Sequence, residues 1–235
     1  MRILLIGYGK MGKTIEGIAT QRGNEIAGRI DTGDSLENFN EAVDVAIEFT
    51  QPEAVVKNLK TCFDKGIPVV CGTTGWGSRQ AETEAYCKSK NGTLLASSNF
   101  SLGVNIFFKL NEYLARIMQR YEQYEVSIDE THHTQKKDAP SGTAISLAQG
   151  VLKNIDRKTE WTLGASDKPH TLSIQSFRVD PAPGTHVVKY QSAIDDIEIT
   201  HTAHTRQGFA LGAVLVAEWL ADKKGIFTMD DFLKL

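Results

Sequence analysis

Residues 2–12 read Arg2-Ile3-Leu4-Leu5-Ile6-Gly7-Tyr8-Gly9-Lys10-Met11-Gly12, an unbroken apolar run that leads straight into a G-x-G-x-x-G turn. A continuous run of this length is what a strand buried on both faces of a parallel sheet requires. Ile15, Ile18 and Ala19 then recur at helical spacing, so the glycines lie between a strand and a helix. In that setting each glycine has its own task. Gly7 permits the tight turn, Gly9 lets backbone approach a pyrophosphate, and Gly12 lets helix and strand pack closely. Gly7 to Gly12, with Tyr8, Lys10 and Met11, are therefore candidate dinucleotide contacts. A turn with only a structural role is the alternative, and the strand before and helix after weigh against it.

Working outward, Glu25–Ile30 reads as a second strand ending at Asp31, where the acidic ribose ligand of such a fingerprint belongs. A carboxylate there accepts from both ribose hydroxyls and repels a 2′-phosphate. Thr32 follows instead of an arginine, so NADH is expected ahead of NADPH. Arg29, two residues back, and Lys10 keep NADPH open; a surface ion pair with Asp31 is the plain alternative for Arg29. Strands are expected over 43–49, 67–71 and 93–96, with helices over 52–63 and 81–88 between them. Pro52 is tolerated in a first helical turn. Gly72-Thr73-Thr74-Gly75 and Ser97-Ser98-Asn99-Phe100-Ser101 end two of these strands. In an open parallel sheet both fall on the same ligand-binding rim. The alternation indicates a Rossmann-type, doubly wound α/β domain.

After Ser101 the pattern changes. One apolar helix is expected over 102–118, then strands over 124–130, 171–179, 185–191 and 196–202. Pro181-Ala182-Pro183-Gly184 reads as a hairpin connection, and a last helix over 209–221 resembles those of the first domain. The second part is thus an α+β domain with a mixed open sheet. The boundaries that follow are 1–101 with 207–235 for the dinucleotide domain, and 102–206 for the substrate and oligomerisation domain. Arg206-Gln207-Gly208 is the crossing point, with Arg206 a candidate hinge contact.

The chemistry-bearing stretch is His132-His133-Thr134-Gln135-Lys136-Lys137-Asp138-Ala139-Pro140-Ser141-Gly142-Thr143. Imidazole exchanges a proton near neutral pH, and lysine can hold or protonate an anion. Ser141-Gly142-Thr143 precedes an apolar helical pattern, and free N–H groups at such a start seat a carboxylate or phosphate. A solvated basic loop with a serine cap is the bland alternative. The 235 residues carry 26 basic and 29 acidic side chains, a net charge of −3, with no long basic run. That argues against a nucleic-acid partner. Cys62, Cys71 and Cys87 are an odd number without metal-ligand spacing, as a reducing compartment allows, and no metal is expected. Apolar runs fall short of the roughly 20 residues a bilayer needs. Met1 runs directly into the first strand, so a cytoplasmic location without a signal peptide and without membrane association is expected.

With the glycine turn, the Gly-Thr-Thr loop, Asn99-Phe100-Ser101-Leu102-Gly103-Val104-Asn105 and the H-H-x-x-K run ending in D-A-P-S-G-T together, the chain resembles the dihydrodipicolinate reductases over essentially its whole length. The resemblance implies reduction of an unsaturated cyclic imine dicarboxylate, formed by loss of water from its 4-hydroxy precursor, by hydride from NADH or NADPH in the diaminopimelate route to lysine. It implies that His132 is the catalytic proton donor and acceptor, Lys136 a second proton donor, and His133, Gly142 and Thr143 substrate contacts. On the cofactor side it implies Gly7 to Gly12, Asp31, Gly72, Thr73, Thr74, Ser97, Ser98, Asn99 and Phe100. It further implies a homotetramer built through the second domain's sheet, with hinge closure between domains.

The chain departs from the family pattern in places. The segment between the second and third strands is short, so a sheet-edge element is expected to be missing. Thr32 stands where many members carry arginine, Gln135 replaces a further histidine, and Asp180 replaces a glycine usual after Arg178. Two other function classes are kept: another two-domain dehydrogenase, and a non-catalytic dinucleotide sensor. A thiol-dependent chemistry would need Cys71, whose place at a strand end favours burial. His186, His201 and His204 are expected on sheet faces or interfaces, and Trp76, Trp161 and Trp219 in packing.

Overall fold

A computed structural model describes every residue except Arg206 and Leu235, so the expected hinge contact of Arg206 lies outside the described residues. The chain divides into two compact units, Met1–Leu102 with Gln207–Leu235, and Gly103–Arg206.

In the first unit, β1 (Arg2–Ile6) is followed by α1 (Lys10–Gln21), β2 (Glu25–Ile30), β3 (Val45–Glu48), α2 (Pro52–Asp64), β4 (Val69–Cys71), α3 (Gln80–Ser89) and β5 (Thr93–Ala96). The sheet order is β2-β1-β3-β4-β5, and every pairing in it is parallel. The apolar run of β1 explains itself here. Ile3 and Leu5 enter a core shared with α1 and the returning chain, while Leu4 and Ile6 enter a second core with Val55, Leu59 and Phe63 of α2. Because β1 has β2 on one side and β3 on the other, the glycine turn after it lies where the winding reverses, the place such sheets bind ligands. The short segment after β2 holds only a 3-10 turn, Leu36–Asn38, and β2 is the sheet edge.

In the second unit, α4 (Leu102–Met118) leads into β6 (Glu125–His132), α5 (Gly142–Asn154), β7 (Glu160–Leu163), β8 (Thr171–Arg178), β9 (Gly184–Gln191) and β10 (Asp196–Ala203). The mixed sheet runs β10-β9-β6-β8-β7. Val126, Ile128, Leu172, Ile174, Val188 and Tyr190 form its inner face, and α4 and α5 pack on them. One expectation fails here. The segment 181–184 is not a hairpin connection, because β6 lies between β8 and β9, parallel to one and antiparallel to the other. Local turn chemistry marks where the chain reverses; it does not select the strand's partner. Among the described residues, β9–β10 is the one antiparallel pair of sequential strands.

The chain then returns through α6 (Gln207–Leu220) to β11 (Gly225–Phe227) and α7 (Met229–Leu233). The helix over 209–221 is therefore not the last element. β11 pairs parallel with β5 and adds a sixth strand to the first sheet. β7, β11 and α7 carry too few residues to show a period of their own. No helix among the described residues is long and apolar enough to cross a membrane.

Candidate active site

The cofactor-side residues gather on the C-terminal rim of the parallel sheet. Gly7 has φ +93°, and a Cβ there would lie 2.0 Å from the Phe49 carbonyl oxygen. A Cβ on Gly12 would lie 2.3 Å from the Gly7 carbonyl oxygen, whereas the space in front of Gly9 is open. Gly7 and Gly12 thus meet the turn and the close packing read for them in the sequence. On the neighbouring loop, Thr73 Oγ1 accepts from the Thr50 amide at 2.7 Å, and its carbonyl accepts from the Trp76 indole at 2.7 Å. Trp76 is therefore a packing residue that shapes the loop. A cleft opens between this loop and the end of β5, lined by Thr73, Thr74, Trp76, Ser97 and Ser98. Ser97 Oγ donates to the Asn99 carbonyl at 2.8 Å, and Asn99 Oδ1 accepts from the Ser101 amide at 2.9 Å. Phe100 is buried in the core against Phe49, so only its backbone can serve a cofactor.

Asp31 is exposed at the end of β2, and its Oδ1 accepts from the Thr32 amide at 2.9 Å. Arg29 does not pair with Asp31. Its guanidinium donates to Glu16, with Nε at 3.0 Å, and lies over the Tyr8 ring, while the Tyr8 hydroxyl donates to the same carboxylate. Hydrogen bonds from Arg29 and Tyr8 hold the Glu16 carboxyl down at about 2. Cys71 is fully buried with its Sγ 3.3 Å from Glu48, and burial pushes the thiol far up, so it supplies no thiolate.

The second unit holds the residues expected to carry the proton chemistry. Along β6 the inward positions are Val126, Ile128, Glu130 and His132, so the apolar alternation ends in a buried acid and a buried imidazole. His132 thus closes a strand, and the loop begins after it. Sheet register places Glu130 beside His186 on β9 and Ser176 on β8, and His132 beside Arg178. The Glu130 carboxylate accepts from the Ser141 amide at 3.1 Å through both oxygens and from the Ser176 hydroxyl at 2.7 Å. Arg178 Nη2 is 3.4 Å away. His132 Nδ1 is 3.4 Å from the same carboxylate and His186 Nε2 3.7 Å. Burial alone would raise the Glu130 carboxyl, but hydrogen bonds from His186, Ser141 and Ser176 hold it well below the usual range. Burial pushes His132 down to about 4, with His186, Lys136 and Arg178 acting in the same direction and Glu130 opposing them.

Ser141 caps α5, accepting from the Ala144 amide at 3.2 Å, and its own N–H goes to Glu130. The next amides, those of Gly142 and Thr143, open the helix, and nothing would meet a Cβ at Gly142 within 4 Å. Lys136 Nζ donates to both Asp138 oxygens at 2.9 Å. Arg178 braces this loop, donating to the Asp138 carbonyl at 2.7 Å. Asp180, the departure from the expected glycine, accepts from the Thr134 amide at 3.0 Å and hydroxyl at 2.6 Å, so it orders the loop. His133 is half-buried on the same loop.

Glu130 and His186 have no place among the site residues expected from sequence. Continuing the Val126–Ile128 alternation by one step would have reached Glu130. Nothing local could have reached His186, because only the β6–β9 register brings it there; His186 does lie on a sheet face as expected.

Residues 1–100 match the family described as "Dihydrodipicolinate reductase, N-terminus", and residues 103–233 match "Dihydrodipicolinate reductase, C-terminus". The chain is 51% identical over 236 residues to a 4-hydroxy-tetrahydrodipicolinate reductase of Christiangramia forsetii, covering 99% of this chain and 98% of that one. It is 37% identical to one from Archaeoglobus fulgidus, over 98% of this chain and 84% of that one. Among solved structures, a dipicolinate-bound dihydrodipicolinate reductase from Paenisporosarcina sp. TG-14 superposes with a TM-score of 0.80 at 22% identity, over 97% of each chain.

Proposed function

The chain belongs to the dihydrodipicolinate reductase family, and from that membership we propose which of its residues carry the reaction. It is an NAD(P)H-dependent oxidoreductase of lysine and diaminopimelate biosynthesis, reducing 4-hydroxy-tetrahydrodipicolinate, by way of dihydrodipicolinate, to tetrahydrodipicolinate. The substrate is a small dicarboxylate, in keeping with the dipicolinate held by the related Paenisporosarcina enzyme.

The nicotinamide supplies hydride, and the residues of this chain have to hold it, hold the ring and manage one proton. Gly7 to Gly12 cradle the pyrophosphate: the backbone at Gly9 is open, and the start of α1 offers its N–H groups. Thr73, Thr74, Ser97 and Ser98 line the cleft on the same rim and take the rest of the cofactor, with Gly72 before Thr73 and the Asn99–Phe100 backbone after Ser98. Asp31 takes the adenosine ribose, which favours NADH. Arg29 is committed to Glu16 and Tyr8 and so is not offered to a 2′-phosphate.

At the second unit, the observation that carries the assignment is one carboxylate, Glu130, touching both the His132 imidazole and the start of α5. The N–H groups of Gly142 and Thr143 receive one substrate carboxylate, and His133 and Lys136 take the other. Hydride addition to a conjugated imine leaves a negative charge that needs a proton. In the free protein His132 is neutral at pH 7; two substrate carboxylates beside it restore its proton affinity, and it then serves as the donor. Lys136, released from Asp138, is the second donor.

Glu130, His132 and His186 lie close enough to hold a metal ion. The carboxylate is already engaged by two hydrogen-bond donors and a guanidinium, and that supports a metal-free site. The protein is expected in the cytoplasm, without nucleic-acid or membrane partners. A homotetramer built through the second sheet is the assembly expected, and the outward positions of β6 and β9, only half-buried in the single chain, leave that face available.

The test is a spectrophotometric assay following oxidation of each nicotinamide with substrate freshly made from pyruvate and aspartate semialdehyde. Turnover with NADH ahead of NADPH is expected. His132→Ala should lower kcat by on the order of a hundredfold or more while leaving the cofactor Kd within about twofold; wild-type turnover in that variant would remove His132 from its role, whereas cofactor binding without turnover in the wild-type protein would favour a dinucleotide sensor.

A further inference from the structure

Glu130 and His186 are inward-facing, buried and polar, and the proton chemistry just assigned uses neither directly. A buried carboxylate is retained at this position only with a full set of partners, and this one has them on three sides. Ser176 of β8 donates to Oε1, the Ser141 amide at the start of α5 donates to both oxygens, and Arg178 at the end of β8 lies at 3.4 Å. The remaining side of Oε2 faces His132 Nδ1 and His186 Nε2. His186 Nε2 in turn lies 3.1 Å from Ser141 Oγ, and its ring meets that of His132 edge-on with centroids 5.0 Å apart. The Nδ1 atoms of both histidines are buried without a hydrogen-bond partner.

We propose that Glu130 and His186 are positioning residues of the reduction, through which one buried carboxylate registers the His132 imidazole against the substrate-binding start of α5. The inference rests on the proton-donor reading of His132. Glu130 Oε2, 3.4 Å from Nδ1, is the nearest acceptor on that side of the ring, and a proton held on Nδ1 leaves Nε2 as the edge that meets substrate. The same carboxylate fixes the Ser141 amide, and with it the direction in which the Gly142 and Thr143 N–H groups point. A shift at either end moves the other, so proton donor and carboxylate seat keep one geometry. His186 clamps the Ser141 hydroxyl and limits the second face of the His132 ring. Gly184, on the strand that carries His186, leaves Nε2 uncovered, since a Cβ there would lie 3.0 Å from it.

The groups that face His132 are Glu130 on its own strand, His186 on β9, Arg178 on β8 and Lys136 on the loop. Of these only Glu130 is negative. Glu130→Gln keeps the shape and removes the charge, so the alkaline limb of the kcat profile, where His132 loses its proton in the complex, should move by about one unit or more to lower pH. The kcat at the optimum should fall roughly tenfold to a hundredfold. The Kd for NADH, which the first unit binds, should stay unchanged. A folded Glu130→Gln enzyme with its limb in place would overturn the proposal. Should that variant not fold, His186→Gln carries the test. It keeps a partner for Ser141 and removes the imidazole that disfavours a proton on His132, so the limb should move to higher pH. An unmoved limb there would overturn it equally. The two failures are distinguishable: a silent Glu130→Gln profile beside a dead His132→Ala enzyme sinks only this proposal, whereas turnover in His132→Ala sinks the reading beneath it.

Discussion

At the residue scale, the cofactor preference turns on which side chains are free to meet a ribose or a phosphate. Asp31 is exposed at the end of β2, and Arg29 is tied to Glu16. Asp31→Ala should raise the NADPH-to-NADH ratio of kcat/KM by on the order of tenfold, equivalent to about 1.4 kcal/mol of relieved repulsion. Adding Glu16→Gln, which releases the guanidinium, should raise it further. A ratio that stays put in both would disconnect these residues from the ribose. His132 makes a second prediction, through stability. Its folded value of about 4 lies below the ordinary 6.5, so the unfolded chain binds more protons between those values. The contribution is present above pH 6.5 and lost as pH falls towards 4, at most about 3 kcal/mol. His132→Gln should therefore lose less melting temperature than wild type between pH 7 and pH 4.5. Equal losses in calorimetry would contradict the buried, neutral imidazole.

At the scale of elements, the strand–glycine–helix opening was legible because three constraints converge on six residues: a run buried on both faces, a positive φ, and two backbone approaches. Gly7→Ala should break it, since the backbone at φ +93° and the Phe49 carbonyl 2.0 Å from the new Cβ both oppose a side chain. A loss well above about 1 kcal/mol by denaturant unfolding is expected, together with loss of NADH binding; a stable, cofactor-binding variant would refute the turn assignment. The second sheet was less legible. The alternation in β6 and the length of α4 were plain in sequence, whereas the pairing of β8 and β9 with β6 was not. Turn residues at 181–184 state that the chain turns, and strand partners are chosen by burial of the Val126, Ile128, Ile174 and Val188 face. The same limit hid half of the site. His132, Lys136 and Gly142 are neighbours in sequence; His186 and Arg178 join them only through register.

At the scale of the whole molecule, the charge balance of the second unit ties ligand binding to protonation. Burial, with His186, Lys136 and Arg178 and against Glu130, holds His132 down at about 4, so a dianionic ring should bring a proton with it. Dipicolinate binding followed by calorimetry in buffers of different ionisation enthalpy should show net proton uptake at pH 7, and affinity should weaken from pH 6 to pH 8. Binding with no proton exchange would mean the imidazole is already charged. The assembly is checked by sedimentation equilibrium, with a mass four times 25.9 kDa expected.

The first unit is assembled from both ends of the chain, whereas residues 103–206 form the second in one continuous stretch. During synthesis the inserted unit can therefore reach its native state while the nucleotide-binding sheet still lacks α6 and the edge strand β11. Protease resistance on stalled ribosomes should emerge for residues 103–206 before the first unit, and the glycine turn should gain cofactor affinity only once α6 and β11 have joined its sheet.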